Sequence, residues 1–440
     1  MNTRQLVLKI VTEFEDCPKD LDSLIDKTLK FTRIDHRDRR FVFELVYGIV
    51  RYKLYLNYVM DKFLTVEPEQ QTQTLRRILL VGVYQIMFMD RVPDHAAVNE
   101  SVNLAKSHPE TKAASGVVNA VLRNVIKKKN KIELPDPQVN LVQRLSVEYS
   151  HPEWMIERWL KRLGLSNTKK ILAFNNKKPE IYLRRKIREI SRQQFESDVR
   201  TLCEQAVGYL NLYYKMNKAI DTENIRLIQM GLCNVQSPSS GWVTAMMDVS
   251  RGEHVLDLCS APGGKAVLMA EMIQESGTVV ACELKFKRLL KVVQTSRRMG
   301  LRNVYPIACD GAALPFTGYF DKVLLDAPCT GSGVLHRYPD GRWTRTAENI
   351  SKLVSVQRKL LESAAKSVDS NGIIVYSTCS LEPEENEEQV QWFLDNHKDF
   401  RLDDPPDCLP GMYVDASGYL RITPYEHGLD GMFAARFVKV

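Results

Sequence analysis

Two cysteines stand where the chain could do covalent chemistry. In "VLLDAPCTGSG" Cys329 ends an apolar run, and fifty residues later "IIVYSTCSLEPEENEEQV" repeats the arrangement with Cys379. A strand-end cysteine is ordinarily buried filler; the neighbours of these two favour chemistry. Pro383 suits the first turn of a helix behind Cys379, and a helix N-terminus lowers the pKa of a nearby thiol, although the glutamates in that turn oppose the shift. Cys329 follows Asp326 and Pro328 and precedes Gly331-Ser332-Gly333, which reads as a flexible turn with room for a bulky planar substrate.

A second constellation lies upstream. "DLCSAPGGKAVLMAEM" (257–272) leaves a short apolar strand through Gly263 and Gly264, which allow a tight turn and close approach of a ligand to the backbone. The glycine spacing does not match GxGxxG, and Gly264-Lys265 is followed by Ala266 rather than the Ser or Thr of a phosphate-binding loop. The next strand ends at Glu283, placed to hold ribose hydroxyls, and the third leads to Asp310, placed to meet an adenine amino group. Each acid alone reads equally as a helix cap. Taken in order on a βαβαβ frame, the three fit S-adenosylmethionine. Beside a methyl donor, a cysteine has a specific use. Cytosine C5 is too poor a nucleophile to take a methyl group unaided. A thiolate added at C6 makes C5 enolate-like, and loss of the C5 proton later expels the thiol. Methylating an exocyclic amine needs no such residue.

The elements that must position these groups follow from the pattern. Apolar strands at 254–258, 278–283, 304–308, 321–326 and 372–377 alternate with helical stretches such as 348–366, which predicts a doubly wound, mostly parallel α/β sheet over 231–440. Ligands bind such sheets outside the carboxyl ends of the strands, the edge that carries both cysteines. Residues 1–132 repeat apolar residues at spacings of three and four, including 41–64, 75–89 and 114–126, and read as an all-helical domain. "ELPDPQ" (133–138) reads as a linker. Residues 141–230 read as a small α+β subdomain, with helices near 153–163 and 191–206 and a strand in "PEIYLRRKIR" (179–188).

The net charge of +7 suits a polyanionic partner. Basic residues gather at 123–131, at Arg184–Arg188, and on the helix after Glu283, where Lys285, Lys287, Arg288, Lys291, Arg297, Arg298 and Arg302 follow with no acid among them. Such stretches either contact RNA phosphates or only solubilise a surface. Arg337, Tyr338 and Trp343 are candidates to stack on a target base, with core packing an equal alternative for Trp343. Nine scattered cysteines without a CxxC exclude a disulfide scaffold or zinc knuckle, and a reducing cytoplasm is expected. The longest apolar run, 78–89, is shorter than the roughly 20 residues a membrane-spanning helix needs.

"DLCSAPGGK", "LLDAPCTGSG" and "YSTCSLEPEENE" together closely resemble the RNA cytosine-5 methyltransferases of the NOL1/NOP2/Sun family, and "HGLDGMFAARF" (427–437) resembles that family's closing strand. The resemblance implies that Cys379 is the nucleophile, that Cys329 assists product release, and that Asp326 hydrogen-bonds the cytosine edge and helps protonate it. It places the S-adenosylmethionine contacts on Cys259, Ser260, Ala261, Pro262, Gly263, Gly264 and Lys265, with Glu283, Arg288, Asp310 and Asp326. Glu283 stands where many members have Asp. Residues 1–130 resemble the NusB-like RNA-binding domain, an arrangement that implies small-subunit ribosomal RNA as partner. A monomer is expected, with no metal and no membrane. Transfer RNA as substrate, or an inactive RNA-binding assembly factor, are the alternatives.

Overall fold

The computed structural model describes residues 2–18, 20–30, 32, 34–65, 71–217 and 225–440. The chain folds as two compact units, residues 1–177 with 335–345, and residues 178–334 with 346–440.

The first unit is helical among its described residues. Its α-helices are Thr3–Asp16, Leu21–Leu29, His36–Arg51, Lys53–Asp61, Gln73–Phe88, Asp94–Lys106, Ser115–Lys128, Leu141–Tyr149, Glu153–Asn175, which is broken at Gly164 (φ +72°), and the short Gly341–Thr344. The first shows why they form. Asn2 and Gln5 make a reciprocal capping box, and Leu6, Val7, Ile10, Val11 and Phe14 bury one face. The helical periodicity over 41–64 is carried by two helices, separated at Tyr52, whose backbone leaves the helical region. Residues 335–345 reach this unit from far along the chain, and Arg342 fixes them there. Its fully buried guanidinium donates to the carbonyls of Arg51 (2.8 Å), Ser150 (3.0 Å) and Asn175 (2.6 Å). Burial and the neighbouring Arg51 push that group's pKa down. Trp343 donates its indole N–H to the Val50 carbonyl at 2.8 Å and packs, half-buried, on the helical core, the packing alternative that the sequence left open.

The second unit holds two sheets. The smaller contains β1 (Tyr182–Arg185), β2 (Cys203–Val207), β3 (Tyr213–Met216) and β4 (Cys233–Val235) in the order β2-β3-β1-β4, all antiparallel. The helix expected over 191–206 ends at Val199, because Cys203 begins β2. The larger sheet contains β5 (His254–Asp257), β6 (Thr278–Glu283), β7 (Val304–Ala308), β8 (Phe320–Asp326), β9 (Val368–Thr378), β10 (Phe400–Leu402), β11 (Leu420–Ile422) and β12 (Met432–Lys439). Its order is β10-β12-β9-β8-β5-β6-β7, with β11 paired to β12. Strands β5 to β9 run parallel, and β12 runs antiparallel against β9. The order reverses at β5, between β6 and β8, so a crevice opens beyond the carboxyl ends of β5 and β8. Both faces of the sheet are apolar and covered, as a parallel sheet requires. Among the described residues no helix is long and apolar enough to cross a membrane.

Candidate active site at the carboxyl edge of the sheet

Strand β5 carries the chain into the glycine turn. Gly263 adopts φ +104°, the left-handed region that favours glycine, and a Cβ there would lie 3.1 Å from Val292 Cα. A Cβ at Gly264 would lie 3.2 Å from the Gln236 side chain. The turn is tied down from both sides. The Ser260 amide and hydroxyl both donate to the Cys282 carbonyl (2.8 and 3.0 Å), Gly263 N donates to Ser260 O (2.7 Å), and Arg288 donates to the Ala261 carbonyl at 3.0 Å. Ala261–Pro262 is cis. Helix Gly264–Ile273 starts immediately after, with its first amides at this edge.

Glu283 ends β6 with its carboxylate buried. One oxygen accepts from the Lys285 amide at 2.9 Å and the other lies 3.3 Å from Arg288. Asp310 follows β7, exposed, and accepts from the Ala312 amide at 2.9 Å. Asp257 at the tip of β5 is buried, and its Oδ1 has no hydrogen-bond partner. Burial, then the nearby Asp326, pushes its pKa up to about 7, with Lys265 opposing. A turn whose glycines leave no space for side chains, flanked by Glu283, Asp310 and an unpartnered buried carboxylate oxygen, fits a cofactor carrying hydroxyl, amine and cationic groups.

The Asp257 carboxyl predicts a pH signature. The unfolded chain releases this proton near pH 4, whereas the folded protein releases it near 7. Between those values the folded state holds the extra proton, so the group's contribution to stability falls as pH rises through that window and levels off above it. Asn at this position has no proton to lose. The melting temperature of Asp257→Asn relative to the parent is therefore expected to climb from about pH 5 to about pH 8. A difference that stays constant with pH would show that the shift is not there.

Strands β8 and β9 deliver the reactive residues. Their register sets Asp326 beside Ser377, and the Ala327 amide donates to the Ser377 carbonyl at 2.8 Å. Ser377 Oγ donates to Asp326 Oδ1 at 2.8 Å, while Lys265 Nζ reaches Oδ2 at 2.6 Å. Burial pulls the Lys265 pKa down, but Asp326 more than reverses it and the net shift is upward, so the amine stays cationic. Just past these strands, Cys329 and Cys379 meet with their sulfurs 3.3 Å apart, both half-buried and both free thiols. The hydrogen bond with Cys379 and then burial push the Cys329 thiol well up, so Cys329 keeps its proton. One negative charge on such a pair is far cheaper than two.

The Gly331–Gly333 segment is not the loose turn its composition suggests. Ser332 and Gly333 are buried, Gly333 N donates to the Cys379 carbonyl at 2.9 Å, and a Cβ at Gly333 would sit 2.8 Å from that oxygen. The glycine is there for close approach. The basic stretch at Arg184–Arg188 also reads differently in three dimensions. Arg184 is fully buried against Glu271 at 2.6 Å, Arg185 donates to the carbonyls of Lys186, Ile187 and Ile190, and Lys186 is buried on the Met299 carbonyl. Arg184 and Lys186 tie the small sheet to the helices of the larger one and Arg185 closes its own loop, so of this stretch only Arg188 is exposed. On helix Phe286–Arg298 and its flanks, Lys285, Lys287, Lys291, Arg297 and Arg302 are exposed, whereas Arg298 turns to the carbonyls of Ile228 and Cys233. Sequence reasoning missed Asp257, Glu385 and Gln357. Asp257 was visible only as a residue inside the strand expected over 254–258, which the structure ends at Asp257.

Three family models match this chain: 16S rRNA methyltransferase RsmB/F over residues 244–438, the NusB family over 1–127, and an RsmF/B-like ferredoxin-like domain over 151–202. Among curated relatives, a probable ribosomal RNA small subunit methyltransferase B of Synechocystis is 33% identical, with all of both chains covered. The ribosomal RNA small subunit methyltransferase B of Pasteurella multocida is 30% identical, covering 100% of this chain and 96% of its own. Among solved structures, that of PH0851 superposes with a TM-score of 0.81 at 25% identity, covering 99% of this chain and 98% of its own.

Proposed function

The chain belongs to the 16S rRNA methyltransferase RsmB/F family of S-adenosylmethionine-dependent enzymes, and from that premise we propose that it methylates C5 of a cytosine in small-subunit ribosomal RNA, through a covalent bond from Cys379 to C6. The observation that carries this reading is the pair of thiols 3.3 Å apart at the ends of adjacent strands, beside the glycine turn. Transfer to an exocyclic amine or a ribose hydroxyl has no use for either.

The bound cofactor supplies an electrophilic methyl group, held by the turn from Cys259 to Lys265 with Glu283, Arg288 and Asp310. The rest is the work of the chain's own residues. The Cys379 sulfur adds to C6 as its thiol proton passes by way of Asp326 to N3, which raises electron density at C5. Asp326, fixed in direction by Lys265 and Ser377, hydrogen-bonds the cytosine edge and shares the proton that N3 gains. Once C5 carries its methyl group, the C5 proton is lost as the C6–S bond breaks, and N3 returns its proton through Asp326 to solvent. Cys329 protonates the departing sulfur and is itself reprotonated by that C5 proton, directly or through solvent. Residues 1–132 and the subdomain at 141–230 serve as RNA-binding parts, with the exposed lysines after Glu283 neutralising phosphates.

Nucleoside analysis tests the reaction. After incubation with methyl-labelled S-adenosylmethionine and small-subunit ribosomal RNA, all label is expected in 5-methylcytidine. Label in N4-methylcytidine, or label taken up only by transfer RNA, would overturn the proposal.

A further inference from the structure

Cys329 is gripped on both flanks by two buried side chains that the chemistry above does not use. Gln357, on helix Ala347–Ser367, donates from Nε2 to the Pro328 carbonyl at 3.0 Å and to Glu385 Oε1 at 3.1 Å. Glu385, from the turn just after Cys379, accepts from the Thr330 amide at 2.9 and 3.2 Å and from the Thr330 hydroxyl at 2.5 Å. Both side chains are fully buried. The peptide groups before and after Cys329 are thus held by one connected pair, and Tyr376 OH locks the Glu385 carbonyl at 2.6 Å. A buried carboxylate costs free energy unless donors surround it. Here Thr330, Gln357 and Ser380 surround it and counter the upward push of burial on its pKa. Glu385 springs from the same segment as Cys379, so it references one cysteine to the other.

We propose that Glu385 and Gln357 are positioning residues for the release step: they fix the Cys329 backbone so that its sulfur stays over Cys379. Neither touches the reacting atoms. The inference rests on the covalent reading above and adds to it the residues that set the thiol pair. A shift of about 1 Å in a reacting group can cost on the order of 100-fold in rate, and only release depends on where the Cys329 sulfur lies.

The test uses the full chain with small-subunit ribosomal RNA and S-adenosylmethionine, reading turnover, KM and the covalent protein–RNA band on a denaturing gel. Gln357→Leu keeps the volume and removes the donor; Glu385→Gln keeps the shape and sets an NH2 group against the Thr330 donors. Each is expected to lower turnover at least about ten-fold with KM for RNA falling in parallel, so that kcat/KM stays within about two-fold, and to accumulate the covalent band as Cys329→Ala does. Combining Gln357→Leu with Cys329→Ala should add nothing to Cys329→Ala alone, because both act through one sulfur. Parental turnover and no band in both clamp variants, while Cys329→Ala does trap RNA, would overturn the proposal and leave the covalent reading standing. Loss of the band in both clamp variants would also overturn it, since the clamp would then serve addition or folding rather than release. If Cys329→Ala traps nothing, the covalent reading falls and this proposal with it.

Discussion

Cys379→Ala is expected to abolish methyl transfer, with a loss of at least about 10⁴-fold in turnover, or about 5 kcal/mol of transition-state stabilisation. The reasoning is electronic. Without a sulfur bonded to C6, C5 keeps its aromatic character, and holding it next to a methyl donor does not make it a nucleophile. The substitution should spare the scaffold. Cys379 engages the loop opposite through its backbone, whose carbonyl accepts from Gly333 N at 2.9 Å, and alanine retains that bond. Cofactor affinity, which we propose is set by the turn from Cys259 to Lys265 and by Glu283, should stay within about two-fold. A single-turnover assay with equilibrium cofactor binding checks both. Residual transfer within about ten-fold of the parent would remove Cys379 from the nucleophile's role.

Cys329→Ala should do the opposite to the covalent state. Addition at C6 requires only Cys379, so the RNA becomes bonded; departure lacks its proton donor, so the bond persists. A covalent protein–RNA band is expected to accumulate while turnover falls at least about 100-fold, the usual contribution of one well-placed acid–base group. The 3.3 Å between the two sulfurs supports this division of labour, because it places the Cys329 thiol within reach of the sulfur that departs. Changing Cys379 to Ala in the same chain should erase the band. A band that survives in the double variant would mean that another residue bonds the RNA.

Much of the catalytic fold was legible from local pattern. Strands β6 and β7 fall on the residues their apolar runs marked, β5 and β8 lie within one residue of them, and the helix expected over 348–366 spans Ala347–Ser367. Parallel strands buried on both faces read as apolar runs, and the glycine turn and both strand-end cysteines follow directly from where those runs stop. What stayed hidden depends on pairing across long stretches of chain. Nothing local distinguishes Arg184, fully buried on Glu271, from an arginine on the surface. The same holds for Arg342, which pins residues 335–345 into the helical unit through carbonyls nearly 170 to 290 positions away. The clamp of Glu385 and Gln357 was invisible for this reason too. In sequence, Glu385 is one of a run of acids that reads as an ordinary first turn. Only the fold shows that it points inward at the Thr330 amide, while Gln357 closes the other side. Gly331–Gly333 misled because glycine signals either freedom or close approach, and here it is close approach to the Cys379 carbonyl.

The measurement that bears most directly on the central claim is mass analysis of the complex trapped by Cys329→Ala. After digestion of protein and RNA, the account predicts one cross-linked peptide, "STCSLEPEENE" or a longer piece containing it, with a cytidine carried on Cys379 and the mass of one added methyl group. A nucleotide bonded to any other residue, or a bonded cytidine that never gains the methyl group, would contradict it.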